Sequence, residues 1–568
     1  MSGERRFFRD REGEKILLLD KGKKGLLRLV FSRTAVTIFL LAAQVLLLAV
    51  AFLRLGEYYY SAASLVAVVV SLAVINRRGG DPEFKITWIL VILAAPVFGI
   101  PFYFYIREEL GHRLVNHRVR EVTEETACLS PPQPELVARL RREDPGMAGL
   151  AGYLERAAGQ SLCDGSGAKY FPTGEETFEE MIAQLERAEK FIFLEFFIIQ
   201  EGYMLGRVLK ILEEKVKAGV EVRMLYDGTC VVGKVPYHYY QEIEKLGVQC
   251  RMFAPLRPLV STHYNNRDHR KILVVDGRVA FTGGINLADE YINRVRRFGH
   301  WKDTAVMVTG KAVRGFTLMF LQLWDVAAGG RSDYLKYLNA SAPVPARGWV
   351  MPYGDIPVDQ EHVGQMVYMD VLNRAQRYVH IATPYLILDN DMLTALTYAA
   401  KRGVDVGIIV PGIPDKKTAF ALTHSYYREL IEQGVKIYEY TPGFIHAKIF
   451  VSDDATAVVG SINLDYRSLR HHYECAALLY GCPAVADVEQ DMAETMSKCR
   501  RLTVEDCKGP RPPGGAGGGP PPPGGPVRRG AEIKQKNKGE AAALSRCRRL
   551  LDLRFPGGSS VREGQSPR

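Results

Sequence analysis

The chain has 568 residues and is basic, with 74 Lys and Arg against 64 Asp and Glu and a net charge of +10. Its nine cysteines are scattered. None forms a C-x2-C pair, which excludes a zinc-ribbon framework, and neither a P-loop nor a dinucleotide fingerprint occurs. The length suits two catalytic domains plus a membrane anchor, and the cysteines read as ordinary reduced thiols.

In chain order, residues 1–33 form a basic segment containing Arg5, Arg6, Arg9, Arg11, Lys21, Lys23, Lys24, Arg28 and Arg33, expected to stay cytoplasmic. Residues 34–106 read as a membrane anchor. Thr34–Leu53 carries no charge and is long enough to span a bilayer. Tyr58–Ile75 is a second, slightly short apolar stretch, and Ile86–Ile106 is a third. The first stretch is too long, and its basic leader too extended, for a cleaved signal peptide. Pro96, Gly99 and Pro101 in the third suit a broken or re-entrant helix. Two crossings plus this embedded segment predict a multi-pass protein of the cell membrane with its catalytic region on the cytoplasmic face. Residues 107–163 are a polar, partly helical linker broken at Pro131-Pro132.

Two long α/β patterns follow, at 164–335 and 348–503, joined by a linker near Ala340–Arg347. They repeat one another. FIFLEFFII matches YVHIATPYLI as an apolar strand, KAGVEVRMLYDG matches KRGVDVGIIVPG, and EIEKLGVQCRMF matches ELIEQGVKIYEY. Alternating strands and helices predict an α/β fold in two halves about a pseudo-two-fold axis.

Each half carries H-x-K-x4-D: His269, Lys271 and Asp276 in the first, His446, Lys448 and Asp453 in the second. A turn ending in Asn follows at the same distance, giving Asn286 and Asn463. On a strand, residues two apart share a face, so each imidazole and ammonium project together while Arg270 and Ala447 point away. A neutral imidazole can attack phosphorus and a second can protonate the departing alkoxide. The lysines and asparagines can bind the non-bridging oxygens, so the protein supplies the positive charge without a metal or cofactor. Asp276 and Asp453 lie near the turn, an odd number of residues from their histidines. They are expected to fix the turn or pair with a nearby base rather than perform chemistry. Each histidine needs an acid to orient its other ring nitrogen; Asp303 and Glu474, single acids entering apolar runs after each motif, are the candidates. One such motif is weak evidence, but two with matching turns and acids are hard to obtain by chance. His471 and His472 face opposite ways on a strand and are read as outside the chemistry.

From Thr34 to Thr503 the chain resembles the phospholipase D superfamily, and within it bacterial cardiolipin synthases. NNRDHRKILVVDGRVAFTGGINLADEY and FIHAKIFVSDDATAVVGSINLDYRS carry the resemblance. It implies a phosphohistidine intermediate, with His269 as nucleophile and His446 as general acid and then base, although the residues alone leave that order open. It also implies phosphatidylglycerol as substrate: a phosphatidyl group passes reversibly to a second phosphatidylglycerol, giving cardiolipin and glycerol. Hydrolysis of phospholipids by the same residues is the alternative. The basic charge suits an anionic lipid surface. It would suit nucleic acid too, but the membrane segments and the lack of a recognisable nucleic-acid module weigh against such a partner. Oligomeric state is left open. Residues 506–568 are rich in Pro and Gly, a composition expected to be disordered. Leu544–Phe555 there is a faint equivalent of the Arg- and Leu-rich lipid-contacting end of cardiolipin synthases.

Overall fold

A computed structural model of the chain describes residues 6–9, 15–18, 62–77, 82–107, 110–255, 266–359 and 361–507. The first apolar stretch, Thr34–Leu53, most of the basic segment 1–33 and the Pro/Gly-rich tail beyond Cys507 lie outside them. Near the N-terminus β1 (Arg6–Arg9) pairs antiparallel with β2 (Lys15–Leu18).

The second and third apolar stretches form short helices at 62–76, Pro82–Ala94 and Pro96–Arg107. The third stretch, predicted as a broken segment, turns back at Ala95. Gly99 makes this possible: a Cβ there would stand 2.6 Å from the Val91 carbonyl oxygen. Trp88 then packs edge-on against Phe102 and Tyr103 across the break. Among the described residues no helix is long and apolar enough to cross a membrane. The expected spanning helices are therefore not seen there. The outward faces are nevertheless apolar: Leu65, Val66, Val69, Leu72, Leu90 and Leu93 are exposed.

The predicted linker is helical at Leu110–Thr126, Pro134–Glu143 and Pro145–Ala157. Asp144 separates the last two, and its carboxylate accepts from the Met147 amide 2.8 Å away, capping the second of them.

The first half contributes β3 (Ser166–Phe171), β4 (Phe191–Phe196), β5 (Glu221–Asp227), β6 (Gln249–Phe253), β7 (Lys271–Val275), β8 (Val279–Gly283), β9 (His300–Lys302) and β10 (Ala305–Gly310). All but β9 form one sheet, ordered β3-β10-β8-β7-β4-β5-β6. The second half contributes β11 (Trp349–Asp355), β12 (Tyr378–Ala382), β13 (Asp405–Pro411), β14 (Lys436–Tyr440), β15 (Gly443–Ile445), β16 (Ile449–Ser452), β17 (Thr456–Gly460), β18 (Glu474–Tyr480) and β19 (Cys499–Arg501). Its sheet runs β11-β18-β17-β16-β12-β13-β14-β19. Strand for strand this is the first sheet with one edge strand added. In both, the three strands joined through helices run parallel and the rest antiparallel. The sequence repeat is thus a repeat of topology.

The halves meet through a shared apolar core that includes Phe193, Ile272 and Val274 from one sheet and Val459, Cys475 and Ala477 from the other. Their contacts are reciprocal, as a two-fold relation requires. β8 touches its counterpart β17; β10 touches β17 as β18 touches β8. Helix Val313–Ala328 reaches across to β11, and helix Ala484–Ser497 reaches back to β3.

Candidate active site

Each motif histidine sits just ahead of an apolar strand, where the chain crosses from one half to the other. The crossing is made of short parallel pairings. Asp268 bridges Tyr473, with the His269 amide donating to the Tyr473 carbonyl at 2.9 Å. β15 pairs with β9, and the His446 amide donates to the Lys302 carbonyl at 2.7 Å. One residue further along each pairing, His269 meets Glu474 and His446 meets Asp303. His269 Nδ1 lies 2.9 and 3.0 Å from the two Glu474 oxygens, and His446 Nδ1 lies 2.7 Å from Asp303 Oδ2. Both predicted acids are therefore at the site, and each lies within hydrogen-bond distance of the histidine of the opposite half.

Both acids are fully buried and multiply bonded. Glu474 also accepts from the hydroxyls of Ser461 and Ser468, and Asp303 accepts from the Thr304 amide at 2.9 Å. Gly284, in the Asn turn of the first half, lies so close to Asp303 that a side chain there would strike the carboxylate. Burial would raise the Glu474 carboxyl, but the His269 and His472 imidazoles hold it far below the ordinary carboxylate range. Asp303 is likewise lowered: burial opposes the shift, and His446 and Lys448 overcome it. Both acids are thus anions that can accept a hydrogen bond from Nδ1–H.

Burial keeps the two imidazoles neutral. His446 is pushed down to about 4 by burial and then by the Lys448 charge. His269 lies well below its ordinary value for the same first reason, against the opposing pull of Glu474. With Nδ1–H given to an acid, each ring presents an Nε2 lone pair. The rings are walled by aromatics: Phe197 lies 4.9 Å from His269, and Trp301 and Tyr291 lie 5.3 and 5.5 Å from His446.

Lys271 and Lys448 are buried beside their histidines, each donating to the carbonyl of the histidine two residues before it. Lys271 acts electrostatically on both His446 and Lys448, so the two motifs share one field. Burial pushes Lys271 down to about 8 and Lys448 to about 7. The ammonium form is complete below those values and is lost as pH rises through them. The apparent kcat/KM, which follows the free enzyme, is therefore expected to fall more steeply above pH 7–8, on top of the decline that proton uptake by His446 sets at lower pH. The limb in kcat should lie higher, because a bound phosphodiester anion favours the ammonium. A pH–rate profile checks this; a kcat/KM that stays level beyond pH 10 refutes it.

Asn286 and Asn463 flank the site in equivalent turns, but their bonding differs. The Asn286 carbonyl accepts from the Ile198 amide at 2.9 Å and its NH2 donates to the Tyr291 hydroxyl at 2.7 Å. One of its N–H groups remains for a ligand. Asn463 is 4 % exposed and its side-chain oxygen has no hydrogen-bond partner.

Asp276 and Asp453 are not with the histidines. They lie at the far ends of β7 and β16, roughly 17 Å along the strand from the lysines. Both adopt positive φ, at 54° and 55°, in the hairpin turn. Asp276 accepts from the amides of Glu189, Lys190 and Phe191, and Asp453 from those of Gln376, Arg377 and Tyr378. Each staples its hairpin to the start of the neighbouring central strand. Both take the turn-fixing role expected from sequence, Asp276 also takes the base-pairing one, with Arg278 3.1 Å from its carboxylate, and neither lies beside the histidines. Arg270 points away, as expected, to Glu195 at 2.6 Å.

His472, read from sequence as outside the chemistry, is in the site: its ring lies 5.1 Å from that of His269. The available signal was its two-residue spacing from Glu474, which puts both on one face. Among the described residues, His269, His472 and Glu474 form the one group whose donor atoms are close enough together to share an ion.

Comparison with known proteins bears on what this site does. The model described as cardiolipin synthase, PLD-like domain, matches twice, at 181–324 and 368–496. A phospholipase D-nuclease N-terminal model matches 65–108. An uncharacterized protein of Streptococcus mutans is 50% identical over 74% of this chain and 91% of its own length. The cardiolipin synthase of Geobacillus kaustophilus is 35% identical over 78% of this chain and 87% of its own. Cardiolipin synthase 2 of Bacillus anthracis is 32% identical over 76% and 84%.

Proposed function

This chain belongs to the cardiolipin synthase family, and from that premise we propose that it joins two phosphatidylglycerol molecules into cardiolipin and glycerol through a phosphohistidine. The observation that carries the mechanism is the pairing of two neutral histidines, each held by a buried acid from the opposite half, in the field of two buried lysines.

In the first step His269 Nε2 attacks phosphorus of one phosphatidylglycerol. The bond from phosphorus to the glycerol oxygen breaks, and His446 Nε2–H gives that oxygen its proton. The entering phosphodiester anion favours the imidazolium, so substrate binding itself raises His446 far enough to take up that proton. Glu474 holds the His269 tautomer and balances the charge that forms on its ring. Lys271, Lys448 and the free N–H of Asn286 face the non-bridging oxygens, where negative charge gathers in the transition state. In the second step the terminal hydroxyl of another phosphatidylglycerol attacks, His446 takes its proton, and the phosphorus–nitrogen bond to His269 breaks. No metal enters any step.

The apolar outer faces of residues 62–107 support embedding of this region in the bilayer, which would present the site to lipid alcohols at high local concentration. The basic N-terminal segment supports a cytoplasmic catalytic face. Reconstitution of the full-length protein in phosphatidylglycerol vesicles tests the reading: cardiolipin and glycerol are expected in equal amounts. Phosphatidic acid without cardiolipin would make the protein a hydrolase.

A further inference from the structure

We infer that His269, His472 and Glu474 form a binding site for one zinc-type divalent ion, and that filling it switches turnover off.

His472 is 9 % exposed and neither ring nitrogen has a hydrogen-bond partner, although its Nδ1 stands 3.4 Å from Glu474 Oε1. A buried imidazole left in this state is short of a ligand. No proton transfer in the mechanism above passes through it. The ring faces the same carboxylate that orients His269, tilted 36° from the His269 ring at 5.1 Å.

The spacing suits an ion. One donor atom from each residue can be chosen so that all three lie within 4.8 Å of one another. Glu474 is 2.9 Å from His269 Nδ1 and 3.4 Å from His472 Nδ1. Zinc takes nitrogen and carboxylate oxygen at about 2.0–2.2 Å in tetrahedral geometry, which sets neighbouring ligand atoms about 3.3 Å apart. Both imidazole–carboxylate spacings are therefore already close to that value. Two imidazoles and one carboxylate favour zinc over magnesium or calcium, which prefer oxygen alone. Ser461 and Ser468, already donating to Glu474, would hold the ligating carboxylate in place.

Binding and catalysis compete for one lone pair arrangement. The ion takes the His269 Nδ1 lone pair, and the ring proton moves from Nδ1 to Nε2. Nε2 then carries hydrogen and cannot attack phosphorus. The ion thus acts on the tautomer without having to block the lipid path. The switching step rests on His269 being the nucleophile; the binding site does not.

The test uses full-length, metal-stripped protein, with zinc chloride binding followed by calorimetry and turnover followed in vesicles. Wild type should bind one zinc at this site and lose activity in proportion to occupancy. His472→Asn should lose at least about 100-fold in zinc affinity, and zinc inhibition of whatever turnover the variant retains should weaken in parallel. His472→Gln is the second variant, in case the first does not fold. Unchanged zinc affinity in a folded, active variant overturns the site. Zinc bound in a His472-dependent way with turnover untouched overturns the switch and leaves the site standing.

Discussion

A phosphatidyl ester of p-nitrophenol should separate the two histidines. On phosphatidylglycerol, His269→Ala is expected to lose roughly 10^4-fold or more of turnover, and His446→Ala roughly 10^2- to 10^4-fold, with membrane insertion unchanged in both. Nitrophenolate leaves without a proton. His446→Ala should therefore release one equivalent of it per site and then stall, because the phosphohistidine forms but no base activates the acceptor. His269→Ala should release none. The reverse pattern would exchange the two roles. Retained full activity of either variant on phosphatidylglycerol would sink the two-histidine mechanism. The expectation rests on geometry that is near-symmetric: both rings are buried, neutral and held at Nδ1 by an anion. Chemistry at Nε2 is what must tell them apart.

The same burst should report the crosswise pairing of the acids. Glu474→Gln is expected to cost roughly 10^2- to 10^4-fold, since an amide can present N–H to Nδ1 and stabilise the wrong tautomer. Because Glu474 serves His269, this variant should lose the burst as His269→Ala does. Asp303→Asn should cost a similar factor on phosphatidylglycerol but keep the burst, because Asp303 serves His446. Double variants should follow: Glu474→Gln adds nothing to His269→Ala, and Asp303→Asn adds nothing to His446→Ala. If Asp303→Asn removed the burst and Glu474→Gln kept it, each acid would be serving its own half.

The membrane end shows where sequence patterning and structure part. Apolar runs separated by short polar loops specify helices that hide their backbone, and the helices at 62–76 and 82–107 do so. Run length alone suggested more than it could fix. The Pro96 ring and the Gly99 close approach turn Ile86–Ile106 back on itself, and aromatic packing of Trp88 holds the fold-back. His472 shows the complementary failure. Its neighbour His471 drew attention to alternation between adjacent residues, while the two-residue spacing to Glu474 held the information.

The sequence by itself determined the α/β strands, their duplication and the placing of His269, Lys271, His446 and Lys448 beside strands, and left turn-fixing and pairing with a base both open for Asp276 and Asp453. The strands and the motif placement depend on apolar alternation and turn residues within a few positions of one another, whereas the amides that Asp276 and Asp453 bind lie 75 to 87 residues away. Only the tertiary structure decided which acid serves which histidine, that His472 shares Glu474 with His269, and that the Asn286 carbonyl is committed to the Ile198 amide. Those partners lie far apart in sequence, His269 and Glu474 by 205 residues and His446 and Asp303 by 143. Parallel pairing across the two halves brings them together. A local pattern cannot encode that register, because each half alone offers its own acid equally well; burying the β8 and β17 faces against one another selects the exchange.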